Sequence, residues 1–200
     1  MVARSYIFII ALILSLGPEQ ARADAAQDAR VEDGVAAYDA GDYQRAKDIL
    51  LPLAEAGHPK AMNMIGLMHY DTPVFPNDPK IECDWYEKAA NVGSPSAMYN
   101  MSICYDGYGR PEDPDMDKAW LLRAADQGHI PAMINLAALD PDEGKEYLRW
   151  MMMAQNHGSA YAKVSLWLQD YKTESQMTLS DFVCVSWKIL ILDGEFRDCD

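Results

Sequence analysis

From residue 43 the apolar positions follow a helical period. Ala46, Ile49, Leu50, Leu53 and Ala54 stand at i, i+3, i+4, i+7 and i+8, which places them on one face of a helix. This stripe predicts a helix pair over 31–38 and 43–55, joined around Gly41-Asp42. Asp24 to Arg30 is polar and alanine-rich and reads as a frayed lead-in. Further along, one phrase returns: Gly57-His58-Pro59-Lys60-Ala61-Met62, Gly93-Ser94-Pro95-Ser96-Ala97-Met98, Gly128-His129-Ile130-Pro131-Ala132-Met133, and a worn copy at Gly158 to Ala162. The glycines lie 36, 35 and 30 residues apart, and Trp85, Trp120 and Trp150 each precede the next glycine by eight residues. Two anchors recurring in register mark an array of helix-pair repeats, in which each repeat buries its apolar face only against its neighbours.

The repeats predict first (A) helices near 59–70, 95–106, 131–139 and 159–171, each opened by the proline or alanine of the phrase. Second (B) helices are predicted near 79–92, 115–127, 142–157 and 179–192, the first three ending at a repeat glycine suited to a left-handed C-terminal position. The loops within repeats differ. The second repeat carries Tyr105 to Pro111 with Gly107 and Gly109, the first a proline-rich Asp71 to Pro76, and the third only Asp140-Pro141.

The chain opens with Arg4, an apolar run from Tyr6 to Leu16, a Gly17-Pro18 break and Ala21-Arg22-Ala23, the order of a secretory signal cleaved after Ala23. The expected organisation is a signal segment (1–23), a lead-in and N-terminal capping helix pair (24–57), the repeat array (58–192) and a polar tail (193–200). Without the first 23 residues 15 basic and 30 acidic side chains remain, a formal charge of −15. Such a surface repels phosphate backbones, so nucleic acid is not an expected partner. After cleavage no integral membrane anchor is expected, and the localisation read from the signal is periplasmic or secreted.

Export changes the reading of the four cysteines, which in an oxidising compartment suggest disulfides; three pairings are open, with free buried thiols as the alternative. Cys83 and Cys104 are equidistant from the Gly93-Ser94 turn, so on antiparallel helices they stand at one height, and a Cys83–Cys104 bond is expected. The same reflection about Asp193-Gly194 suggests Cys184–Cys199 as a weaker companion.

The phrase Ala-x-x-Gly-x-x-x-Ala, present as Ala54 to Ala61, Ala90 to Ala97 and Ala125 to Ala132, together with Trp85-Tyr86-Glu87-Lys88-Ala89-Ala90 and the Tyr105 to Gly109 loop, resembles the Sel1-like repeat family. The match runs over roughly residues 35 to 170; it departs where the glycine loop survives in the second repeat alone and where Leu179 to Leu192 is unusually apolar. The resemblance implies an all-α fold, an α/α solenoid of Sel1-like (tetratricopeptide-like) helix-pair repeats with an N-terminal capping pair. It implies an exported scaffold or regulator that binds other proteins in the bacterial envelope, with no catalytic residue and no cofactor. Some cysteine-rich relatives have been linked to β-lactam binding or hydrolysis, so an envelope hydrolase is the alternative.

Candidate chemistry is sparse. There is no Gly-x-Ser-x-Gly, Ser-x-x-Lys, His-x-x-x-His or Cys-x-x-Cys. His58 and His129 read as caps, His69 and His157 as helix-end residues, and the acidic groups Glu112 to Asp115 and Asp140 to Glu143 as loop and N-cap residues rather than metal ligands. With the repeat alanine at 0° and about 100° per residue, offsets 0, 4, 5 and 8 form the apolar arc and the repeat methionines (Met62, Met98, Met133) fall inside it, so they read as core, not as a copper site. At least one of Met151, Met152 and Met153 should be exposed. Offsets 2, 3 and 6 point away from that arc: Asn63, Met64 and Leu67; Tyr99, Asn100 and Ile103; Ile134, Asn135 and Ala138. From these, Asn63, Tyr99, Asn100, Ile103, Ile134 and Asn135 are the expected binding residues for an unidentified protein partner.

Overall fold

The computed structural model describes residues 22–139 and 144–173. Helix α1 covers 22–39, followed by α2 (Tyr43–Glu55), α3 (Pro59–Asp71), α4 (Pro79–Asn91), α5 (Pro95–Cys104), α6 (Pro114–Asp126), α7 (Ile130–Ala138), α8 (Lys145–Asn156) and α9 (Ala160–Thr173). The described residues contain no strand. The chain divides into two compact units after Ala132, within α7. In the first, α2 packs on α3, α3 on α4, α4 on α5 and α5 on α6; in the second, α8 packs on α9.

The recurring glycine phrase is one device for reversing the chain. Gly57, Gly93, Gly128 and Gly158 adopt φ between 84° and 97°, where a side chain would be strained. The residue after each glycine closes the preceding helix with its backbone N–H: His58 to Leu53 O at 3.0 Å, Ser94 to Ala89 O at 3.0 Å, His129 to Ala124 O at 3.1 Å, Ser159 to Ala154 O at 2.9 Å. This is the six-to-one bond of a Schellman turn. The side chain of that same residue caps the next helix. Nδ1 of His58 accepts from Ala61 N–H and Nδ1 of His129 from Ala132 N–H, each at 3.4 Å; Ser94 Oγ accepts from Ala97 at 3.3 Å and Ser159 Oγ from Ala162 at 3.1 Å. The two histidines therefore do the work of serine at an N-cap. The B helices α4 and α6 use Asp78 and Asp113 as caps, and proline opens α3, α4, α5 and α6 immediately after the cap.

The core follows the helical wheel. Ala61, Ile65, Gly66 and His69 of α3, Ala97, Met101 and Ser102 of α5, and Ala132, Leu136 and Ala137 of α7 are buried, as are Met62, Met98 and Met133. Gly66 is small for a reason: a Cβ there would lie 2.6 Å from the Tyr86 ring of α4. Within α8, Met151 is buried and Met152 is 57% exposed. The register tryptophans each carry a cation on the ring face, Lys88 on Trp85, Arg123 on Trp120 and Arg149 on Trp150, at 4.2, 4.0 and 4.9 Å.

The Cys83–Cys104 disulfide is present, joining α4 to α5 with Cα atoms 6.0 Å apart, as the reflection about Gly93-Ser94 predicts. Cys184 and Cys199 lie outside the described residues, as do the expected last B helix over 179–192 and the polar tail.

Three expectations need correction. Asp24 to Arg30 is not frayed but continues α1, whose outer side is tied to the start of α3 by Asp28–His58 at 2.9 Å and Glu32–Lys60 at 2.6 Å. Helix α5 ends at Cys104 rather than near 106, because Tyr105 and Asp106 bond back to Ser102 and Ile103 and the chain turns at Gly107, φ 83°. Met64 is 8% exposed and belongs to the core. An A helix in such an array is flanked on two sides, so its buried arc is wider than a one-sided wheel allows.

Candidate functional site

The A helices of the first unit, α3 and α5, place Asn63 and Asn100 side by side. Nδ2 of Asn100 donates to Oδ1 of Asn63 at 3.0 Å, linking successive repeats. Both are half-buried, Leu67 is half-buried one turn on, and Ile103 is 46% exposed. Tyr99 is half-buried with its ring 5.1 Å from the imidazole of His129, tilted by 36°. Burial lowers the His129 pKa below the ordinary imidazole value, which keeps Nδ1 unprotonated for capping. Ile134, half-buried, and Asn135, exposed, belong to the second unit. Thus four of the six expected binding residues fall on one pair of helices, and the other two on α7.

A second polar assembly was not foreseen as a unit. The Tyr105 to Asp113 loop folds back onto α4. Its own closure is set by Arg110 N–H to Cys104 O at 3.2 Å and Asp113 N–H to Tyr105 O at 2.8 Å. Gly109, φ 77°, passes so close to α4 that a Cβ would lie 2.4 Å from Pro79 O and 2.7 Å from Cys83 Sγ. On either side of it Tyr108 donates its hydroxyl to Glu82 Oε2 at 2.8 Å, and Arg110 reaches Asp84 at 2.8 Å and Glu87 at 3.0 Å. Glu82 is buried, which pushes its carboxyl up; hydrogen bonds from Tyr108 and Tyr86 oppose that. Burial and the bond to Glu82 push Tyr108 up to about 12. Asp84 loses some hydration, yet its bonds to Lys80 and Arg110 hold it below the usual carboxylate range. The signal in the sequence was Tyr108 between two glycines, opposite a glutamate on the apolar face of a B helix. These groups are spent on one another, so the loop is a brace.

His69 is buried, stacks on Phe75 with centroids 4.3 Å apart, and has Nδ1 3.1 Å from Pro76 O. Among the described residues no three His, Cys, Asp or Glu side chains are grouped to hold a metal ion, and no helix is long and apolar enough to cross a membrane.

No family model matches the chain, and no curated protein matches it. Solved structures do. A Sel1 repeat protein from Oxalobacter formigenes aligns with a TM-score of 0.62 and 27% identity, over 69% of this chain and 60% of that one. A protein named c5321, a protective antigen present in uropathogenic Escherichia coli strains and displaying an SLR fold, aligns with a TM-score of 0.60 and 25% identity, over 70% of this chain and 32% of that one. The chain therefore spans about three fifths of the first protein and a third of the second. With the repeat signature and the helix pairs above, the chain has the fold of these Sel1 repeat proteins, an α/α solenoid. That fold suggests a protein-interaction scaffold, and proteins of this fold are generally non-enzymatic.

Proposed function

We propose that the chain is exported to the cell envelope and holds a protein partner on the A-helix face of α3 and α5. The observation that carries this reading is the Asn63–Asn100 pair, half-buried and flanked by Tyr99 and the exposed Ile103. Mixed amide, aromatic and aliphatic surface is what protein interfaces favour, and the A helices of a solenoid line its extended binding surface. Residues 1–23 and the Cys83–Cys104 disulfide support an oxidising, extracytoplasmic destination. The brace on α4 supports a pre-formed face that binds with little remodelling.

The test is site-specific photo-crosslinking in the native envelope, with the photoreactive residue at Ile103 on the A face or at Lys118 on the exposed side of α6. A partner band from position 103 and none from 118 is expected. The reverse pattern would move the function to the B helices. Intact mass of the exported protein, expected to begin at Asp24, tests the destination independently.

A further inference from the structure

The disulfide and the Tyr105 to Asp113 loop meet at three successive residues. Sγ of Cys83 lies 3.3 Å from the Tyr108 carbonyl oxygen, a Cβ on Gly109 would come within 2.7 Å of that sulfur, and the Arg110 N–H donates to Cys104 O at 3.2 Å. Cys83 and Cys104 are 0% and 1% exposed, so with the loop down no thiol reaches either sulfur. The elements around the bond are not equally firm. Helices α4 and α5 pack on each other, and each is held by its own backbone ladder. The loop contains no helix or strand and is fastened to α4 by side chains, Tyr108 on Glu82 and Arg110 on Asp84 and Glu87. Local opening starts at segments fastened in this way. Lifting the loop uncovers Cys83 Sγ, the sulfur it lies against, and leaves both helices in place.

We propose that Cys83 is a thiol-exchange site and that the Tyr105 to Asp113 loop is its lid. The reactant is a small thiol or dithiol. Its thiolate forms a bond to Cys83 Sγ, the Cys83–Cys104 bond breaks, and the electron pair leaves on Cys104 Sγ, which takes up a proton. A monothiol stops at the mixed disulfide on Cys83. A dithiol goes on: its second thiolate attacks its own sulfur in the mixed disulfide, closes a cyclic disulfide and releases Cys83 as a thiol. Two electrons and two protons have then passed from the dithiol to the protein. The released Cys83 S–H faces the Tyr108 carbonyl, an acceptor 3.3 Å away in the closed loop, so the lid closes again over the reduced pair. The fastening of the loop sets how fast the bond is reduced.

The experiment reduces the folded protein with dithiothreitol, quenches with N-ethylmaleimide and follows Cys83 and Cys104 by peptide mapping. Tyr108→Phe should quicken reduction about tenfold, the size of one lost hydrogen bond to a carboxylate. Arg110→Gln should quicken it about threefold, a margin that closes in high salt because its partners are exposed and screened. Leu50→Ala weakens the core at a buried site on α2; it would quicken a route through global unfolding about thirtyfold or more, and with a lid it should leave the rate within about twofold of the parent. In the unaltered protein, reduction should rise with urea far less steeply than unfolding does, because opening the lid exposes only a loop. With glutathione in place of dithiothreitol, the adduct should map to Cys83 and the maleimide to Cys104. An adduct on Cys104, equal rates in Tyr108→Phe and the parent, a thirtyfold gain in Leu50→Ala, or a urea dependence as steep as that of unfolding overturns the proposal. The adduct and the urea series use the unaltered protein and decide the matter even if a variant fails to fold.

Discussion

Gly107 and Gly109 share a loop and a left-handed backbone, φ 83° and 77°, yet alanine should act very differently at the two. A Cβ on Gly107 meets nothing within 4 Å. Gly107→Ala therefore costs only the left-handed conformation, about 1–2 kcal/mol. A Cβ on Gly109 lies 2.4 Å from Pro79 O and 2.8 Å from Pro79 C, both backbone atoms of α4 that cannot swing aside. The loop must lift instead. Lifting it strips Tyr108 from the buried carboxylate of Glu82, about 1–3 kcal/mol for a buried acceptor left short of a donor. It also releases Arg110 from Asp84 and Glu87, whose side chains are 40% and 46% exposed, so solvent screening limits that loss to less than about 1 kcal/mol. Gly109→Ala should then cost about 2–6 kcal/mol, which is about 1–4 kcal/mol more than Gly107→Ala. Urea unfolding with the disulfide intact reads the difference: at a slope of about 2 kcal/mol/M, the Gly109 variant should unfold about 0.5–2 M below the Gly107 variant. Amide exchange localises it, since Arg110 and Asp113 N–H, bonded to Cys104 and Tyr105 carbonyls, should lose protection in the Gly109 variant alone. Equal destabilisation by the two substitutions, with equal protection, would refute the brace.

Two further outcomes follow from the caps and the disulfide. His129 has its pKa lowered by burial, so the native state binds fewer protons than the unfolded chain; its stabilisation is full above the ordinary value of 6.5 and is lost as pH falls below it. His129→Ser keeps an N-cap of the kind used at Ser94 and Ser159 and should flatten the decline in stability below pH 6.5; urea titrations that keep the same slope against pH contradict the assignment. Replacing both Cys83 and Cys104 by serine removes a link between residues 21 apart and should lower stability by about 3 kcal/mol in the chain-entropy model, measured as the shift in urea midpoint.

The architecture was legible because one phrase does three jobs. Its glycine ends a helix, the next residue caps the following one, and proline opens it, so the chain reversals at Gly57 and Gly93 can be located residue by residue. Cys83–Cys104 was legible for the same reason: once the turn is placed, antiparallel geometry sets which residues share a height. The candidate site was legible only residue by residue. Asn63 and Asn100 occupy different offsets from their repeat alanines, so their pairing depends on the inter-helix register, which no single wheel contains. Met64 was misplaced because the wheel counts one neighbour where α3 has several. Arg110 bridges Asp84 and Glu87 more than twenty residues away in sequence, a contact set by how the loop folds back and not by any local pattern.

The central claim is that the A face of the first unit holds the partner. Its most direct measurement is the affinity of the partner identified by crosslinking, compared between Tyr99→Ala with Ile103→Asp on that face and Lys118→Glu on α6, with melting temperatures taken alongside. Losing an aromatic anchor at an interface commonly costs about 2 kcal/mol or more, so the A-face variant should remain folded and bind about thirtyfold or more weakly, and the α6 variant should bind within about twofold of the parent. An A-face variant that stays folded and binds normally, beside an α6 variant that does not, would contradict the account.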